Sequence, residues 1–202
     1  MSLEISLKIS FTGKREHIMR LIATLACTAL LGLSSLTATS ASAQMAMDKP
    51  GAPPASPAAT AKVTLGGKDV TVNYGAPSIR GRKIMGGLVP YGEVWRTGAN
   101  EATTLITTAE LKIGTLTLPA GTYTLFTLPT ASSWQLIVSK ATGEWGIPYP
   151  EGKDFGRTPL MGKTLGSPQE VMSISFENTK GNSTELHIKW EKTDQYVTVT
   201  AT

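Results

Sequence analysis

The chain has 202 residues, with 19 Lys and Arg against 15 Asp and Glu, two histidines and one cysteine. That length holds one domain or at most two. The charges form no basic stripe of the kind nucleic-acid binding needs, and one cysteine excludes a disulfide within the chain.

Residues 1–18 (MSLEISLKISFTGKREHI) are charged and mixed, and their simplest explanation is an extension ahead of a true start at Met19. From Met19 and Arg20 the chain enters the apolar stretch 21–33 and then a small, polar stretch that ends in Ala41-Ser42-Ala43. This is the three-part pattern of a signal peptide over 19–43, cleaved before Gln44. The apolar run is shorter than the roughly 20 residues a spanning helix requires. Cys27 lies inside that run, without the small residues that precede a lipoprotein cysteine, so no lipid anchor is expected. The expected mature protein is periplasmic or secreted, has no membrane span and contains no cysteine. Thiolate metal sites and cysteine nucleophiles are thereby removed. Cleavage would also take away Lys8, Lys14, Arg15, Arg20, Glu4 and Glu16, bringing the formal net charge from +4 to +2.

Residues 44–61 are rich in Pro and Ala and almost devoid of bulky apolar side chains. Such a composition buries too little surface to offset its ordering entropy, which predicts a disordered linker. From Lys62 onward short alternating runs of Val, Thr, Ile, Leu and Tyr are broken by Gly, Pro and Asn. Strands are expected at 63–65, 70–74, 103–108, 111–113, 116–118, 122–128, 134–139, 172–177, 185–190 and 196–200. Gly66-Gly67 suits a tight hairpin between the first two. Pro119-Ala120-Gly121 suits another. The run 122–128 carries large apolar groups on both faces, as a central strand does. Helix is confined to a turn within 88–94 or 154–156. The expected fold over 62–202 is an all-β, antiparallel β-sandwich, jelly-roll-like, with long irregular loops. Two such loops, 76–101 and 143–168, are longer than ordinary connections, and loops of that length are often functional.

The first of them leads into GRKIMGGLVPYGEVWRTGANEATT at 81–104, which gathers Arg82, Lys83 and Arg96 with Tyr91, Trp95, Glu93, Glu101 and Asn100. Tyr74-Gly75-Ala76-Pro77, the Gly81-Arg82 segment, LVPYGEVWRTGANEAT at 88–103 and Pro119-Ala120-Gly121-Thr122-Tyr123 follow one another in order. In these four elements the chain resembles a family of exported bacterial proteins called domain of unknown function 2911, over roughly 59–201. The resemblance implies a β-sandwich and carries no activity with it.

Each polar residue of the block has a structural use. Trp95 suits a core or rim aromatic. Arg96 suits a brace to Glu93 or Glu101, and Asn100 suits backbone satisfaction at a turn. Their grouping suggests more: Arg82, Lys83, Tyr91, Trp95, Arg96, Asn100 and Glu101 would offer charge, amide and aromatic face to a sugar or other small envelope ligand. No catalytic residue and no cofactor are assigned. His187 is the sole histidine after residue 43, and its alternate neighbours Glu185 and Lys189 predict that it faces solvent. One histidine excludes a multi-histidine metal site, and Gly-x-Ser-x-Gly is absent. A carboxylate-only calcium site stays open. The expectation is a non-catalytic domain that binds a small ligand or glycan of the envelope. The alternative is a structural or protein-interaction module with no partner specified. Behind both stands a two-carboxylate hydrolase pairing Glu93 or Glu101 with Glu144, Glu151 or Asp154.

Overall fold

A computed structural model describes residues 55–202; the expected extension at 1–18, the expected signal peptide at 19–43 and most of the expected linker at 44–61 lie outside the described residues. Nine strands follow in chain order: β1 (Ala58–Leu65), β2 (Lys68–Gly75), β3 (Thr104–Thr107), β4 (Leu111–Ile113), β5 (Leu116–Leu118), β6 (Gly121–Pro129), β7 (Trp134–Ser139), β8 (Asp154–Lys180) and β9 (Ser183–Ala201). Every pairing is antiparallel, in the order β1-β2-β3-β6-β7-β8-β9-β4-β5. The described residues contain no helix, so the expected all-β class holds.

The two layers arise because β8 belongs to both. Asp154 to Leu160 pairs with β7, and Met161 to Lys180 pairs with β9. The chain therefore changes partner at the Leu160–Met161 step, and the far part of the sheet folds back until β1 packs against β8 and β9. Between the layers lies a core that includes Leu65, Val70, Leu105, Leu125, Leu136, Met172, Trp190 and Val199, each at most 1% exposed. β6 is central, as its two-faced apolar pattern predicts. Leu125 points into the main core, while Phe126 joins Ala102 and Ile137 in a smaller cluster against Leu128 of the same strand and Val94 and Tyr149 of the irregular segments.

Gly66 and Gly67 close the β1–β2 hairpin, both at positive φ (56° and 77°), the geometry of a two-residue turn that matches strand twist. Four expectations need correction. The sheet begins at Ala58, ahead of Lys62, because β2 is long enough to pair with β1 back to Gly75. Pro119 and Ala120 close no hairpin: β5 pairs only with β4, and the chain there crosses to β6, whose edges are taken by β3 and β7. Residues 154–168, expected to be irregular with a helical turn at 154–156, belong to β8. Pro159 is tolerated because this half of β8 pairs on one side only, and Gly166-Ser167-Pro168 sits where the register with β9 slips between Thr164 and Gln169. Residues 88–94 form turns rather than helix.

Candidate functional site

The segment 93–103 extends the ladder of β6 beyond the end of β3. Trp95 and Thr127 exchange both backbone hydrogen bonds at 2.8 Å, and the Leu125 amide donates to the Thr103 carbonyl. The Thr103 hydroxyl in turn donates to the Thr97 carbonyl at 2.9 Å. With its backbone tied in this way, the segment holds its side chains in set places.

Trp95 lies half-buried, stacked on the buried Trp190 (centroids 5.9 Å apart, planes 20°) and edge-on to Trp134 at 6.4 Å. Arg96 points the other way, toward 144–148. Its Nη1 donates to the Trp145 carbonyl at 3.1 Å, and its guanidinium carbon lies 5.0 Å from the Trp145 ring centroid. Partial burial draws the Arg96 guanidinium below its ordinary value. Neither Glu93 nor Glu101 forms an ion pair with Arg96 among the described residues, so the brace runs through a carbonyl and an indole face instead. Gly146 allows this packing: it has φ +83°, and a Cβ there would lie 2.9 Å from the Ala102 Cβ and 3.1 Å from the Arg96 Cβ. Arg82 is tied at one edge, with Nε donating to the Ile79 carbonyl at 3.1 Å and Nη2 to the Ser78 carbonyl at 2.7 Å. Asn100 sits at φ +62° and donates from Nδ2 to the Ser56 carbonyl at 2.9 Å.

The seven residues singled out by sequence do not share one pocket. Arg82, Trp95 and Arg96 line a cleft of about 290 Å³ with Leu88, Ile147 and Trp190. Asn100 and Glu101 line a separate groove of about 240 Å³ against β1 and β2. Tyr91 borders a third hollow, and Lys83 lines none of these. Around the Arg82–Arg96 cleft the surface is unusually apolar for an exposed site: Leu88 is 50%, Trp145 54% and Ile147 65% exposed.

The acids of the hydrolase alternative are differently placed. Asp154 is engaged by Arg157 at 2.8 Å and by a short hydrogen bond from the Tyr149 hydroxyl. Burial, with Asp154 second, pushes the Tyr149 hydroxyl up to about 12. Among the described residues no group of three or more His, Asp or Glu side chains is arranged to hold a metal ion.

Sequence reasoning misplaced His187. It is fully buried, with Nδ1 2.8 Å from Asp194 Oδ1 and Nε2 3.1 Å from Glu185 Oε2, and its ring stacks on Tyr196 at 4.9 Å. Lys189 joins the cluster at 2.6 Å from Glu177. The Lys189 hydrogen bond holds the Glu177 carboxyl below its ordinary value, and the Asn178 hydrogen bond, followed by His187, does the same for Glu185. Alternation along 185–189 put the three residues correctly on one face. The sequence carries no sign that the same strand bends back over that face.

No curated protein and no solved structure matches the chain. The model of the family described as protein of unknown function (DUF2911) matches residues 56–199, which contain all nine strands except the last two residues of β9. With most of its length so matched, and with the resembling blocks found on the loop that extends β6 and on the strands beside it, the chain belongs to the DUF2911 family.

Proposed function

We propose that the protein is a non-catalytic, exported domain of the bacterial envelope that binds a small ligand or glycan in the cleft between Arg82 and Arg96. The observation that carries this reading is the pairing of two tethered guanidinium groups with an apolar floor of Trp95, Trp190 and Leu88. Arg82 spends two of its N–H donors on carbonyls and Arg96 one. A guanidinium has five, so both retain donors for a carboxylate or sugar hydroxyl. The indole faces and Leu88 would pack on the apolar face of a sugar or peptide. A volume near 290 Å³ suits a ligand of one or two sugar units. Export rests on the leader pattern at 19–43.

The exposed Trp145 and Ile147 favour the protein-interaction alternative on one point, since a contiguous exposed apolar patch marks many partner surfaces. A thermal-shift screen of the purified protein against envelope glycans and muropeptides separates the two. Ligand binding to the native state raises the melting temperature by mass action. A rise that Arg82→Ala together with Arg96→Ala removes, with the circular dichroism spectrum kept, is the expected result. No rise with any of them, or a rise indifferent to both substitutions, would overturn the proposal.

A further inference from the structure

β8 and β9 double back together beyond Lys189, where Glu191 stands at φ +54° and the register slips between Gln169 and Ser173. The paired segments 161–164 and 193–196 thereby close over the outward face of the strands they continue. His187 is enclosed in this elbow, fully buried, with a carboxylate oxygen on each ring nitrogen. Asp194 Oδ1 lies 2.8 Å from Nδ1, and Glu185 Oε2 lies 3.1 Å from Nε2.

The charged and titratable groups around the ring come from both strands. β9 supplies Glu185, Lys189, Asp194 and the stacked Tyr196 ring; β8 supplies Glu177, whose Oε2 lies 3.9 Å from Nε2, and Lys163. Beside Asp194 Oδ2 stand Lys163 Nζ at 3.6 Å and Lys189 Nζ at 3.9 Å. A neutral imidazole has one N–H and one lone pair, and between two carboxylates it would turn that lone pair on one of them. The geometry therefore calls for a proton on both nitrogens. The carboxylates are the ionised partners: hydrogen bonds from Lys189 and Asn178 hold Glu177 and Glu185 below their ordinary values, and two ammonium groups flank Asp194. Three carboxylates then meet two ammonium groups and one imidazolium, a balance that holds only while His187 keeps its second proton.

We propose that this elbow is a proton-operated clasp: a His187 imidazolium shared between Asp194 and Glu185 holds the doubled-back ends of β8 and β9 down, and loss of its Nε2 proton frees them. The proton leaves on the Glu side, because Glu177 and Glu185 keep 36% and 29% of their side chains exposed and Asp194 only 1%. Its loss exchanges a charge-assisted hydrogen bond for a lone pair set against Glu185. It also leaves one unbalanced negative charge beside a buried ring, where water screens it poorly. Trp190 stands one residue before the bend, floors the Arg82–Arg96 cleft and donates from Nε1 to the Glu170 carbonyl at 3.3 Å. The clasp thus bears on the floor of that cleft, whether or not the cleft takes a glycan.

The test follows the ring nitrogens of His187 by NMR in the full chain, without ligand, from about pH 5 to about pH 10. His187→Gln, in which the signals vanish, separates them from those of His17. The expected result is that both nitrogens carry protons at the acid end and that one proton is lost within the range. Across that step, amide exchange in 161–164 and 193–196, corrected for its intrinsic pH dependence, should quicken about tenfold, as loss of one hydrogen bond to a charged group implies. Leu136, in the other layer, should not change, and the Trp190 indole proton should shift with the step. Glu185→Gln keeps the His187–Asp194 contact, and its amide can face either an N–H or a lone pair, so the step should flatten. A ring neutral at the acid end, a second proton kept throughout, arm exchange indifferent to the step, an equal quickening at Leu136, or a step left whole by Glu185→Gln would each overturn the clasp.

Discussion

His187 Nδ1 lies 2.8 Å from Asp194 Oδ1, although the two residues stand seven apart on the same strand. Seven residues of extended chain span about 23 Å, so the contact exists only because β9 doubles back between them. Glu191, at φ +54°, marks the bend, and β8 bends with it where the register slips from Thr164 to Gln169 and again to Ser173. The imidazole is thus enclosed by its own strand. His187→Leu would leave Asp194 buried without its hydrogen-bond partner. That change should cost about 3–5 kcal/mol, measured as a lowered denaturant midpoint. Replacing both residues by apolar ones of similar size should recover much of the loss, since the orphaned charge goes with them.

Stability should fall at both extremes of pH, for separate reasons. Tyr149 has its folded value raised to about 12, so its contribution is complete below the ordinary 10.0 and is lost as pH rises from there through 12. Absorbance titration of phenolate should show a tyrosine that ionises only as pH nears 12. Glu177 and Glu185 are held below their ordinary 4.5, so what they contribute is present above that value and is lost as pH falls through their lowered values. Both carboxylates are largely solvent-screened, and the acid limb should therefore be shallow. Unfolding midpoints measured from pH 3 to pH 12 would reveal both limbs.

Gly146→Ala should destabilise the protein by about 1–3 kcal/mol through overpacking, because the new methyl would press on the Cβ atoms of Ala102 and Arg96 at a positive φ. The same change should loosen Arg96 from the Trp145 carbonyl. A lowered melting temperature with a shifted Trp145 fluorescence would report both.

Trp95 and Arg96 are adjacent and should behave oppositely. Trp95→Ala opens the stack on Trp190 and the edge contact on Trp134, for a loss of about 3 kcal/mol. Arg96→Ala removes one hydrogen bond to a carbonyl and one cation–π contact at the surface, roughly 1 kcal/mol. Paired denaturation curves would separate a structural tryptophan from a rim arginine.

Much of the sheet was legible because alternation survives wherever one face is buried: 111–113, 116–118 and 134–139 are observed as predicted. The first half of β8 was not legible. Its prolines and Gly166 read as loop, yet Pro159 occupies an unpaired edge and Pro168 a register slip, two places where a strand admits proline. His187 was misjudged for a related reason: period-two patterning says which residues share a face but not whether the strand later folds across it. In the loop block, residue types were legible and convergence was not. Arg82, Trp95 and Arg96 meet in one cleft, whereas Asn100 and Glu101 turn toward β1.

The partner change at Leu160–Met161 has a mechanical corollary. A single strand is stitched into both layers, so neither layer can come apart while the other keeps its hydrogen bonds along that strand. Amide protons of Leu136 in one layer and Ile188 in the other should then exchange with solvent at a common, slowest rate set by whole-molecule opening. A cut at the crossing point, which leaves each half with its own partner strands, would dissolve that coupling.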